Sequence, residues 1–249
     1  MAIIVGSGKR LTTDDGIPYM WQSGDVTTTP NEVGILTASD GDDSDFFGSS
    51  VAVGSGRIVV GATFDDIGSN YTQGSAHIFD LDGNQLGIIT ASDGASGDLF
   101  GCSVAVGCGR IVVGAIGRDA PYGSNPTLGA AYIFDLDGNQ LGIITASDGA
   151  DQDYFGESVA VGCGKIVVGA HWDDDDGSRS GSAYIYDLDG TNEVKRTASD
   201  GAAYDWFGFS VAVGCGRIVV GALYDDVGSN DNQGAAYIYD LDGNNEVRI

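Results

Sequence analysis

Short apolar runs separated by glycine and aspartate recur along the chain, and none carries the spacing of an amphipathic helix. Four kinds of run return in the same order: SVAVG, then RIVVGA, then AHIFD, AYIFD or AYIYD, and then QLGIITA or a variant of it. Gly-Ser-Gly or Gly-Cys-Gly joins the first two, as a tight hairpin requires, and DLDGN supplies Asp-Gly for a second hairpin between the last two. Each set therefore predicts four antiparallel strands. Ile58-Val59-Val60 and Ile78-Phe79 do not alternate with polar residues, so both faces of these strands are expected to be buried.

The set repeats. FGSSVAVGSGRIVVGA starts at Phe47, FGCSVAVGCGRIVVGA at Phe100, FGESVAVGCGKIVVGA at Phe155 and FGFSVAVGCGRIVVGA at Phe207. The glycines Gly48, Gly101, Gly156 and Gly208 are 53, 55 and 52 residues apart, a period that marks arrays, solenoids and propellers. Residues 1–45 read as a degenerate fifth copy: Val5-Gly6-Ser7-Gly8 matches the first hairpin, Tyr19-Met20-Trp21 a third strand, and NEVGILTASDG at 31–41 the final strand and turn. The alternative is a four-unit body with residues 1–30 as an anchor. Small sheets packed face to face around an axis would bury both faces, so the expected fold is an all-β propeller of four-stranded antiparallel blades. It forms one domain over 1–249, with blades at 1–45, 46–98, 99–153, 154–205 and 206–249. The Ala, Gly and Ser of the first strand suit crowding at that axis. The phenylalanine of each FG, with Phe46, Leu99, Tyr154 or Trp206 ahead of it, is expected to wedge between blades, contributing roughly 2–3 kcal/mol per buried ring. A parallel β-helix is the rival, but it has no reason to place two tight hairpins in each repeat.

Composition narrows the partners. Glycine is abundant at 41 residues while proline numbers only 4, which fits many turns rather than flexible linkers. The formal charge of −25 repels nucleic acid and anionic membranes and suits cations or basic partners. No apolar run approaches the length of a membrane helix, so membrane insertion is not expected, and the apolar stretch in MAIIVGSGKR is too short for a signal peptide. Cys108, Cys163 and Cys215 occupy one repeat position and Cys102 lies at the other end of a strand; all four read as free thiols made in a reducing compartment.

Antiparallel order puts the loops between second and third strands, and those between units, on one face, where the variable residues gather. The former carry an aromatic and two aspartates: Phe64-Asp65-Asp66, Trp172-Asp173-Asp174 and Tyr224-Asp225-Asp226, with Gly117-Arg118-Asp119 breaking the pattern. Rings beside carboxylates can bind sugars, the ring stacking on the apolar face and the acids accepting hydroxyl hydrogen bonds; the competing reading is a blade cap with solvated turns. The inter-unit loops pair Asp40 with Asp45, Asp93 with Asp98, Asp148 with Asp153 and Asp200 with Asp205. Converging carboxylates suit calcium, and an Asx turn is the alternative. DLDGN reads as a hairpin turn. His77 and His171 lie in different units, and no HExxH, GxSxG or phosphate-binding loop occurs, so an enzyme is not expected and no cofactor is implied beyond calcium.

FG…SVAVG…RIVVGA…GSAYIFD resembles the FG-GAP repeat, strongly over 46–249 and weakly over 1–45. The resemblance implies a β-propeller used in adhesion and ligand binding, as in integrin alpha subunits and many bacterial and viral surface proteins. The proline of the GAP element is absent, as in Gly61-Ala62-Thr63, and the first-to-second connection holds no carboxylate, so the integrin calcium loop does not carry over. The expected function is a non-enzymatic binding or structural module at a virion or other extracellular surface, such as a phage appendage, fibre or capsid-decoration protein. Its expected partners are a host surface glycan or protein or neighbouring virion proteins, with homo-oligomerisation also compatible. A multivalent lectin and a calcium-dependent adhesion module are the alternatives.

Overall fold

A computed structural model describes residues 34–118 and 128–249. The chain divides into two compact units, Met1–Ile35 and Leu36–Ile249, and only Gly34 and Ile35 of the first are among the described residues. The expected fifth blade therefore lies largely outside them. Its described end, residues 34–38, forms no strand.

The second unit is built from four four-stranded antiparallel sheets, each in simple sequential order, and the described residues contain no helix. The first comprises β1 (Phe47–Gly54), β2 (Arg57–Ala62), β3 (Ser75–Phe79) and β4 (Gln85–Ile89). The second comprises β5 (Phe100–Gly107), β6 (Arg110–Ala115), β7 (Ala130–Phe134) and β8 (Gln140–Ile144). The third comprises β9 (Ser158–Gly162), β10 (Lys165–Ala170), β11 (Ser182–Asp187) and β12 (Val194–Arg196), and the fourth β13 (Phe207–Gly214), β14 (Arg217–Ala222), β15 (Ala235–Tyr239) and β16 (Val247–Arg248).

Local chemistry explains the hairpins. Gly54 pairs with Arg57, leaving Ser55 and Gly56 as the turn, with φ of 48° and 76°. Two successive positive φ values define the turn whose twist matches the strands it joins, and Cys108-Gly109 repeats it at 50° and 74°. At the other hairpin, Asp80 Oδ1 accepts the N–H groups of Asp82 at 3.0 Å and Asn84 at 2.8 Å, so the first aspartate of DLDGN is spent on the turn itself.

The non-alternating strands are buried on both faces: Val59 and Ile78 on one side, Val60 and Phe79 on the other, all at 3% exposure or less. Between sheets the core is shared. Val59, Ala76 and Ile78 of the first pack with Phe100, Ile111, Val113 and Tyr132 of the second, and the next two interfaces repeat the arrangement around Phe155 and Phe207. These three phenylalanines are fully buried, as the wedge reading requires.

The FG and GA elements meet at each joint. The glycine of FG bends at φ of 90° in Gly101, 98° in Gly156 and 90° in Gly208. Its carbonyl then accepts the hydroxyl of Ser50, Ser103 or Ser158 of the preceding sheet at 2.6, 2.7 and 2.8 Å. The same carbonyl lies against Gly61, Gly114 or Gly169, leaving no room for a side chain there. The motif is thus a backbone joint between neighbours.

Candidate ligand cleft

The loop face collects both sets of predicted residues. The aromatic of each aromatic-Asp-Asp triplet packs on the residue ahead of FG: Phe64 on Phe46 at 4.9 Å between ring centroids, Trp172 on Tyr154 at 4.7 Å and Tyr224 on Trp206 at 4.6 Å. Phe46, Tyr154 and Trp206 share φ of 55–57°, a left-handed turn that throws these rings outward while the following phenylalanine goes inward.

The two aspartates of each triplet differ. The second clips its own loop: Asp66 Oδ1 accepts the Thr72 N–H at 2.7 Å, and Asp174 and Asp226 do the same for Arg179 and Asn232. The first is buried and faces the third strand. Asp173 accepts the Tyr184 hydroxyl at 2.7 Å and Asp225 that of Tyr237 at 2.5 Å. Asp119, in the repeat that breaks the pattern, lies outside the described residues.

The inter-unit pairs also divide. Asp45, Asp98, Asp153 and Asp205 each accept a backbone N–H three residues back, from Asp42, Ala95, Ala150 and Ala202, at 2.5–2.8 Å. The donor precedes the aspartate, so this local clip runs opposite to an Asx turn, in which the acid accepts an N–H two residues on. Asp93, Asp148 and Asp200 accept the hydroxyls of Tyr132, Tyr184 and Tyr237 at 2.8–2.9 Å, while Asp40 faces His77 Nδ1 at 3.9 Å. Among the described residues no three carboxylate, histidine or cysteine side chains converge as a metal set.

Cations that the sequence reading did not single out complete the pattern. In the third repeat Lys195 Nζ reaches Asp148 at 2.9 Å, Asp173 at 2.8 Å and Asp175 at 2.5 Å. Burial works against its charge, but the hydrogen bonds it donates to these carboxylates outweigh it and raise its pKa. In the fourth, Arg248 pairs with Asp200 at 2.6 Å and with Asp225. In the second, Arg118 pairs with Asp93 at 3.1 Å. Lys195 and Arg248 follow Val194 and Val247 on the fourth strand; the residue at that place in the first repeat is Ile88.

The first repeat therefore has the acids without a lysine or arginine among the described residues. Burial pulls His77 below its usual pKa, despite Asp40 nearby, and pushes Asp65 above its own. A cleft of about 640 Å³ opens here between the two loops, with Asp40, Asp43 and Asp66 in its wall. Phe46, Phe64 and Tyr71 add rings that are 60%, 38% and 61% exposed. By contrast Trp172 carries the Arg179 guanidinium 3.8 Å from its ring centre, so that face is already covered.

Comparison with known proteins agrees with this repeat. A profile described as the FG-GAP repeat matches residues 30–79, 84–134, 139–186 and 191–239. No curated protein matches the chain. Among solved structures, the computationally designed Ika4 protein is similar over 84% of this chain and 98% of its own, with 16% identity and a TM-score of 0.50; the likeness is one of fold alone.

Proposed function

The chain belongs to the FG-GAP repeat family, and from that premise we propose that it is a non-enzymatic binding module whose first-repeat cleft receives a basic side chain of a partner protein. One observation carries the reading. The other three repeats each satisfy the same acidic position with a lysine or arginine of their own, whereas among the described residues the first sets no lysine or arginine against Asp40. A guanidinium or ammonium entering the cleft would meet carboxylates and exposed ring faces, the two environments that stabilise such a cation. The charge of −25 would steer a basic partner toward the surface. The setting we propose is an exterior surface, as in a virion appendage, fibre or decoration protein that engages a host surface or its neighbours.

The test is calorimetric titration with an arginine-rich peptide against the wild type and Ile88→Lys. The variant rebuilds the Lys195 arrangement inside the first repeat while changing net charge by a single unit. We expect binding to fall at least tenfold. Equal affinity for both proteins would mean that the peptide merely samples the acidic surface, and the reading would be abandoned.

A glycan is the second reading, favoured by the exposed rings of Phe46 and Tyr71 beside Asp66. A glycan array with Phe46→Ala as control decides it, since the Phe46 ring is exposed whereas that of Trp172 is covered by Arg179. For the calcium-dependent reading, the deciding measurement is the melting temperature with and without chelator. The hydrogen bonds already made by Asp45, Asp98, Asp153 and Asp205 lead us to expect no change.

A further inference from the structure

Three joints link the four sheets, and the two halves of a further joint stand open among the described residues. In each joint the last residue of an inner strand is a glycine lying against a valine of the next sheet: Gly54 against Val106, Gly107 against Val161 and Gly162 against Val213. A Cβ added at Gly107 would stand 2.6 Å from the Val161 carbonyl oxygen. The fourth sheet presents the same surface, with Gly214, Gly221 and Gly234 in the corresponding places. Yet nothing lies within 4 Å of a Cβ built on Gly214, and the three atoms nearest a Cβ on Gly221 all belong to Ser210 of its own sheet. The Ser210 hydroxyl, whose three counterparts donate to a glycine carbonyl, has no such carbonyl among the described residues. A cleft of about 550 Å³ takes up that space, and Phe209 and Leu223 on its border are 37% and 42% exposed.

The complementary half is on the first sheet. Val51 and Val53, at the positions of Val104 and Val106, are 68% and 71% exposed, whereas Val104 and Val106 pack into the first-to-second core. Gly48, the FG glycine of this sheet, is exposed as well. We propose that the open face of the fourth sheet is a docking seat for the first sheet of a second copy, which sets Val53 against Gly214 and the Gly48 carbonyl against Ser210. The contact is head-to-tail, so it uses different surfaces on the two partners and either closes into a ring or extends into a chain. The seat selects a second copy because its demands match what that edge carries: a glycine carbonyl free to accept a hydroxyl, and a flat valine face with no side chain in the way. No ion pair is involved, and each copy carries −25, so association strengthens as salt screens the mutual repulsion.

Sedimentation equilibrium of the full chain at micromolar concentration is the test. The wild type is expected above its monomer mass of 25.5 kDa, more so at high salt. Gly214→Glu and Val53→Glu place charges where the monomer has open space, and each is expected to weaken association at least tenfold with an unchanged circular dichroism spectrum. Each variant keeps one intact half, so an equimolar mixture regains a dimer and goes no further. A wild type that stays at monomer mass overturns the proposal and gives the face to a different occupant. Variants that associate normally overturn it, and so does a mixture that fails to reassociate, which is the behaviour of a contact between identical surfaces.

Discussion

Replacing Lys195 by methionine removes one charge and keeps most of the side-chain volume, and it tests whether the acidic loops depend on internal counter-ions. Lys195 holds three carboxylates at 2.5–2.9 Å, and one of them, Asp173, is 2% exposed. Breaking a buried pair by removing one partner costs about 3–5 kcal/mol, because the other charge stays behind uncompensated. Here the lysine is 21% exposed, and the Tyr184 hydroxyl, within 2.9 Å of both Asp173 and Asp148, still has its one proton to share between them, which lowers the expected cost to about 2–3 kcal/mol. For a chain of this length that is a drop of roughly 4–12 °C in melting temperature. Differential scanning calorimetry at pH 7 measures it. The pH dependence is a second readout. Although burial opposes it, the hydrogen bond from Lys195 holds Asp148 below its ordinary pKa of 3.8. Its stabilising contribution is therefore present above that value and is lost as pH falls below it, so the gap between wild type and variant narrows in strong acid. A difference under about 0.5 kcal/mol at pH 7 would refute the counter-ion reading, since that is the size of an ordinary surface substitution.

Two further outcomes follow from the joints and the rings. Gly114→Ala forces a methyl against the Gly156 carbonyl and is expected to cost about 1–3 kcal/mol in urea unfolding, whereas Gly221→Ala in dilute protein should stay within about 1 kcal/mol, because only its own sheet lies near. Equal costs would show the fourth sheet to be covered. Burial, with help from Arg179, lowers the His171 pKa from 6.5 to about 4, so the unfolded chain binds the proton first and stability falls as pH drops through that window. His171→Phe should flatten this dependence by about 3 kcal/mol at its acid end, and a variant with the wild-type slope would contradict the assignment.

The blades were legible because each rests on local chemistry that a sequence displays: glycine turns, the β-branched runs and the DLDGN hairpin. The clip made by Asp45 and its three counterparts is equally local, with donor and acceptor three residues apart, but its donor precedes the aspartate, whereas the Asx turn weighed from the sequence takes a following N–H. The internal counter-ions are not local. Lys195 reaches Asp148 across 47 residues, and Arg248 reaches Asp200 across 48, so their roles appear only once neighbouring sheets are stacked. Arg179 over Trp172 escaped notice for a different reason: the two share a loop, but its fold depends on Asp174 clipping the Arg179 N–H. The distinction of the first cleft rests on two places at once: Ile88, where the third and fourth repeats carry Lys195 and Arg248, and Asp65, where the second repeat, with Ile143 on its fourth strand, carries Arg118 instead.

The joint between sheets uses a carbonyl, a hydroxyl and bare α-carbons, so it does not register which residues decorate the loops nearby. Such a coupling is indifferent to the identity of the unit it joins. Duplication or loss of a whole repeat by recombination would leave every remaining seam intact, and mutation could diversify the outward rings without touching the framework. Copy number and recognition can then evolve as separate variables, one through gene rearrangement and the other through point substitution.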